Sequence, residues 1–183
     1  MEHILSGIYH LLFLHARCIL VKGARRRIAT VTAFTVAHSI TLTGATLGFV
    51  HVPAPPVEAC IALSIMFVAT EIVRSRRGKA GLTEAYPWVV AFTFGLLHGF
   101  GFASALSEVG LPQIAIPVAL VFFNVGVELG QLLFIASVFA VLACARQVAR
   151  RLAVPQPAWG WNLPPYAIGS VAAFWLILRI AAF

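Results

Sequence analysis

Four ionisable side chains, His10, His38, His98 and Glu128, fall near the middle of four separate apolar stretches that otherwise carry almost no charge. An ionisable group at the centre of a bilayer costs roughly 2.5 to 3.5 kcal/mol on insertion scales, so such groups face one another, water or a ligand. The pattern implies a polar site inside a membrane bundle, and the chemistry it suits is passage of an ion. Imidazole combined with carboxylate suits Ni²⁺, Co²⁺ or Zn²⁺ better than Ca²⁺ or Mg²⁺. A Cu(I) path is disfavoured by the shortage of Met and by cysteines scattered at Cys18, Cys60 and Cys144.

The neighbours of these groups refine the picture. His3, Gly7 and His10 recur at spacings of four and three and so share one helical face. Such imidazoles could pass a metal along a path, or His3 could simply sit at the outer interface. His38 has Thr35 and Thr41 three residues to either side and Ser39 beside it. Those hydroxyls could bond neighbouring helices, and His38 itself could serve only as helix glue. In FGLLHGFGFASALSEVG, Gly95, Gly101 and Ala105 lie around the face of His98, so a second backbone can come close there. A packing seam with an incidental histidine is the plainer alternative. In FNVGVELGQ, Asn124, Glu128 and Gln131 form one polar stripe at spacings of four and three. A mid-membrane carboxylate needs a cation, a proton or a polar partner, so Glu128 could also be a protonated acid bonded to another helix.

The elements that must position these groups are membrane helices. With 183 residues, 61% hydrophobic and 10% charged, the chain is far too apolar for an ordinary soluble domain. The expected fold is all-α, a single polytopic transmembrane domain over residues 1–183, bundling six helices. About 20 apolar residues are needed per crossing. The spans are expected at Met1–Val21, Ile28–Val50, Val57–Val73, Pro87–Ser107, Ile114–Ala143 and Pro165–Phe183. The prolines of HVPAPP are expected to form an outer turn. The fifth span is longer than one crossing requires, so it should tilt, kink near Pro117 or Gly126, or begin on the surface; a break would make seven spans. A weak internal echo pairs AFT with His38 and AFT with His98, then VE at Glu58 with VE at Glu128. The spacings differ, and chance similarity among apolar segments suffices to explain it; a true parallel repeat would relate spans two and three to spans four and five.

The basic residues behind the net charge of +7 are expected almost entirely in three short loops, around Arg25 to Arg27, Arg74 to Lys79 and Arg146 to Arg151. They alternate with connections free of Lys and Arg, so the positive-inside pattern puts the three basic loops in the cytoplasm and both termini outside. That distribution accounts for the charge without a nucleic-acid partner. The amino terminus, with its histidines and Arg17, reads as a span and not as a cleaved signal. No HExxH or GxSxG string and no Walker loop occurs, and the chain has no Asp.

The strings HILSGIYHLLFL, TAFTVAHSITLT, VEACIALSIMFVATE, FGLLHGFGFASALSEVGLP and FNVGVELGQ resemble the HupE/UreJ family of hydrogenase and urease accessory membrane proteins, regarded as nickel or cobalt permeases. The resemblance covers roughly Met1 to Ala143. It implies a permease of the bacterial inner membrane, with no tightly bound cofactor, whose cargo is Ni²⁺ or Co²⁺. It marks His3, His10, His38, Glu58, Glu71, His98, Asn124, Glu128 and Gln131 as motif positions. One departure stands out: where the family's first motif reads Gly-x-Asp-His, this chain has Tyr9 before His10, which would weaken metal binding if that Asp is a ligand or orients the imidazole. Larger relatives carry an extracytoplasmic region before this motif, so an amino-terminal region may be missing from the given start. On this reading His3 and Glu58 receive the ion, His10, His38, His98 and Glu128 hold it, and Glu71 stands near the inner exit. The partners expected are the metal and the bilayer, with a homo-oligomer or a cytoplasmic metallochaperone open. The rivals are a non-transporting scaffold that docks a soluble protein and, behind it, an intramembrane metal-dependent enzyme.

Overall fold

The computed structural model describes residues 20, 21, 23–79, 81–108, 113–152 and 163–181. The chain is all-helical over these residues: α1 (Ala24–Thr46), α2 (Ala54–Arg76), a single turn α3 (Leu82–Ala85), α4 (Pro87–Glu108), a 3₁₀ turn at Gln113–Ala115, α5 (Ile116–Arg151) and α6 (Leu163–Ile180). Four of these, α1, α2, α5 and α6, are long and apolar enough to cross a membrane, and α4 contributes a shorter apolar run. The protein is therefore a multi-pass membrane protein. The span expected at Met1–Val21, with His3 and His10, lies outside the described residues except for Leu20 and Val21, both buried.

Local chemistry moves several helix ends outward from the expected spans. Pro55 and Pro56 do not form a turn: they open α2, where the first-turn N–H groups need no intrahelical partner. Arg25 to Arg27 lie in the first turn of α1, Arg74 and Arg76 in the last turn of α2, and Arg150 and Arg151 in the last turn of α5, so much of the basic charge is helical instead of in loops. Long cationic stems reach water from a helix end that begins in the apolar layer. Past its carboxyl end at Thr46, α1 is closed by Gly48, whose φ of 80° lets Phe49 N–H reach back to the Gly44 carbonyl at 2.9 Å.

Of the alternatives for the fifth span, a break at Pro117 or Gly126 does not occur. Pro117 sits in the first turn of α5, where it is harmless, and the helix passes Gly126 unbroken for 36 residues. At 1.5 Å per residue this is about 54 Å, against a hydrocarbon core of about 30 Å. The excess lies at the basic end. The Arg27 guanidinium, in the first turn of α1, sits 4.3 Å over the Phe139 ring, so residues 140–151 run on past the end of α1.

The helices pack in the order α5, α1, α4, α2, α6, each in contact with the next. The central pair α1 and α4 runs parallel, because Gly95 meets Phe34 and Ala37 while Gly99, one turn further on, meets His38, Thr41 and Leu42. The other neighbours are antiparallel: Phe94 and Gly101 of α4 meet Phe67 and Ile61 of α2, and Glu58 of α2 pairs with Arg179 at the far end of α6. Leu20, Phe34, Ile65, Val68, Ile72, Ala91, Ile168 and Ala172 form the main core between these helices.

The central seam depends on two missing side chains. A Cβ at Gly95 would stand 2.9 Å from the Ala37 Cβ, and one at Gly99 would run into the His38 carbonyl and the Thr41 hydroxyl. Replacing Gly99 by Leu should therefore force the helices apart at a cost of roughly 1 to 3 kcal/mol. Gly44, with open space around it, should accept Ala with an unchanged or slightly raised midpoint. Thermal denaturation of the two variants in detergent checks the contrast.

Candidate functional site

The α1–α4 seam and the α1–α5 contact meet around His38. His38 and His98 are both buried. Phe34 lies between them, its centroid 6.1 Å from the His38 ring and 5.3 Å from the His98 ring. Phe102 and Phe123 pack on the other sides of His38, at 5.4 and 6.5 Å, and on each other at 5.8 Å. The two imidazoles thus share one aromatic box built from α1, α4 and α5.

The backbone fixes how His98 presents itself. Its Nδ1 lies 2.7 Å from the Phe94 carbonyl oxygen, which can only accept, so Nδ1 carries the proton. That leaves Nε2 as the basic nitrogen, the arrangement by which a ligating histidine is usually oriented.

The polar stripe of α5 faces α1, as its spacing implies. The Asn124 amide donates to the Leu120 carbonyl at 2.8 Å and lies beside His38. Glu128, one turn below, accepts a hydrogen bond from the Thr32 hydroxyl at 2.8 Å. Gln131 is buried, and its side-chain oxygen has no hydrogen-bond partner among the described residues. His38 is six positions on from Thr32, so Glu128 sits about 9 Å along the helix axis from the His38 level. Among the described residues no three His, Cys, Asp or Glu side chains come together as a metal site.

The remaining sequence candidates lie elsewhere. Glu58 is held by Arg179 at 2.9 Å where α2 begins and α6 ends. Glu71 is buried at the opposite end of α2, where its carboxylate accepts the Thr83 N–H at 3.1 Å and packs on Gly81. It thereby fastens the loop into α4, assisted by Ser75 donating to Glu84 at 2.7 Å. His3, His10 and Tyr9 are outside the described residues.

Two participants were not foreseen. Thr32 reaches across to Glu128, whereas the hydroxyls expected to bond other helices fold back: Thr35 onto Val31 and Ser39 onto Thr35. The signal was present, since Thr32, Thr35 and Ser39 lie on one stripe at spacings of three and four. Gly99 is the other, closing a Gly-x-x-x-Gly pair with Gly95 around His98 itself.

Residues 1–179 match the family model described as HupE / UreJ protein, and the chain therefore belongs to that family. No curated protein and no solved structure matches the chain.

The Thr32–Glu128 contact should be a measurable interhelical bond. Thr32→Val is expected to destabilise the protein by on the order of 1 kcal/mol. In a double-mutant cycle with Glu128→Gln the coupling should fall in the same range, and additive effects would mean that the two side chains act independently.

Proposed function

We propose that this HupE/UreJ protein is a permease that carries a divalent transition metal, Ni²⁺ or Co²⁺, across the bacterial inner membrane into the cytoplasm for assembly of metalloenzymes such as hydrogenase or urease. Family membership places the chain with transport-associated membrane proteins and not with enzymes. The observation that carries the reading is the burial of two imidazoles, His38 and His98, on either side of the Phe34 ring inside a membrane bundle, with the Asn124 amide beside the first and the His98 ring oriented by its Nδ1–H on the Phe94 carbonyl.

In this proposal His38 and His98 hold the ion at mid-depth together with His10, and Glu128 supplies the negative charge about two turns away along α1. Asn124 and Gln131 act as weak ligands or orient the stronger ones. His3 and Glu58 form the outer entry, where an arriving cation would compete with Arg179 for the Glu58 carboxylate. Glu71 lies at the inner end and acts by holding the 81–83 backbone in place. Neutral imidazoles and amides suit transport, which demands binding weak enough to release. Zn²⁺ would be accepted by the same donors and is the main competitor. The basic ends of α1, α2 and α5 assign those ends to the cytoplasm, with both termini outside.

A second reading is a non-transporting scaffold. It is favoured by the Thr32–Glu128 bond, which gives the carboxylate a structural partner, and by the aromatic packing around both described histidines.

The two readings separate in cells that lack their own nickel and cobalt permeases. At matched membrane expression, the wild type should accumulate either metal, and His98→Ala and Glu128→Gln should fall to the empty-vector level. Tyr9→Asp should raise uptake if the substitution in the first motif weakens binding. Absence of uptake by both the wild type and Tyr9→Asp would remove the permease reading and leave the scaffold.

A further inference from the structure

A groove of about 720 Å³ runs along the outward side of α1, lined by Ile28, Ala29, Thr32, Ala33, Val36 and Phe92 of α4, with Arg25 at its end. Ala29 and Ala33 make the depression, and Ile28, Val36 and Phe92 form its rims. From Arg25 to Val36 is eleven residues, or about 16 Å of helix, close to half of a hydrocarbon core of about 30 Å. The groove is therefore about as long as one leaflet is thick, and it carries its cationic group at one end.

We propose that this groove is a binding site for an anionic glycerophospholipid, its phosphate on Arg25 and one acyl chain laid over Ala29 and Ala33. The charge pattern selects that occupant. Arg25 is exposed and Arg26 adjoins it, whereas Arg27 is turned away onto the Val21 carbonyl at 2.7 Å and the Phe139 ring. A guanidinium fits a phosphate by paired hydrogen bonds, and basic groups at a helix end draw anionic headgroups. An apolar trough facing the bilayer takes a chain and offers nothing to a free aqueous anion. Thr32 lines the groove and also donates to Glu128, so a bound chain would lie against that pair and shield it from the bilayer side. The proposal does not depend on metal transport.

The test uses the full chain purified in neutral detergent, with phosphatidylglycerol, phosphatidylcholine of the same acyl chains, and glycerol phosphate as probes. Native mass spectrometry reads lipid retention, and thermal denaturation reads its effect. Phosphatidylglycerol should be retained and raise the midpoint by several degrees, phosphatidylcholine should be retained at least several-fold less, and glycerol phosphate should do nothing. Ala33→Phe and Ala29→Phe, which fill the trough, and Arg25→Gln should each abolish the difference, while Arg150→Gln on α5 should keep it. Equal retention of the two lipids, or a preference that survives the trough-filling variants, would overturn the site. Absence of any lipid effect would also overturn it, and would point to coverage of the groove by residues 1–19 or by a second copy of the chain.

Discussion

The structure turns on how closely α1 and α4 approach each other. In a bilayer the lipid tails are as apolar as the helix surfaces, so helices are not driven together by exclusion of water and must gain from packing and interhelical hydrogen bonds. Gly95 and Gly99 supply that packing by removing the side chains that would hold the backbones apart, letting the first meet Phe34 and Ala37 and the second the His38 carbonyl. The same contact decides where the polar groups go. His98 lies between the two glycines in sequence, so the approach that closes the seam also draws its ring in beside Phe34 and toward His38.

The packing of the bundle and the placement of both imidazoles are therefore coupled at this seam. A wider separation of α1 and α4 would loosen the aromatic box, and it would release both imidazoles into a layer where unpaired polar groups are costly. The α5 side is held differently. That helix is little buried among the described residues, and it meets α1 through Glu128 with Thr32, Asn124 beside His38, Phe123 against His38, Leu120 packed with Leu42 and Phe139 under Arg27.

Much of this was legible in the residues. Hydropathy located the membrane helices, and Pro87 at the start of α4 marked its boundary because Pro suits a first turn. The spacing of Asn124, Glu128 and Gln131 placed them on one face, and that face does look onto α1. The failures have physical causes. Pro55 and Pro56 read as a turn because Pro breaks helices, although in the first turn the missing N–H costs nothing. The ends of α1, α2 and α5 were cut too short because charge was equated with loop, whereas arginine is a good helix former whose stem can snorkel. Thr32 was passed over because a hydroxyl carries little signal alone: its role appears only once Glu128 is known to sit opposite. The pairing of Glu58 with Arg179 joins residues far apart in the chain, which no local pattern reports.

The echo between AFT with His38 and AFT with His98 gains meaning from the packing. If α1 and α2 form one half and α4 and α5 the other, the two first helices run parallel at the centre, as halves related by an axis along the membrane normal must. Each first helix then packs against the second helix of the opposite half, α1 on α5 and α4 on α2. Exchanging the halves maps one of these contacts onto the other. The two acids of the echo differ in their surroundings, however. Glu128 meets Thr32 of a central helix, while Glu58 meets Arg179 of α6, which has no counterpart in the other half. Their levels differ too: Glu128 stands opposite Thr32, just before the AFT of α1, whereas the Glu58 end of α2 meets Gly101, well past the AFT of α4, so the helix arrangement follows the repeat and its two acids do not.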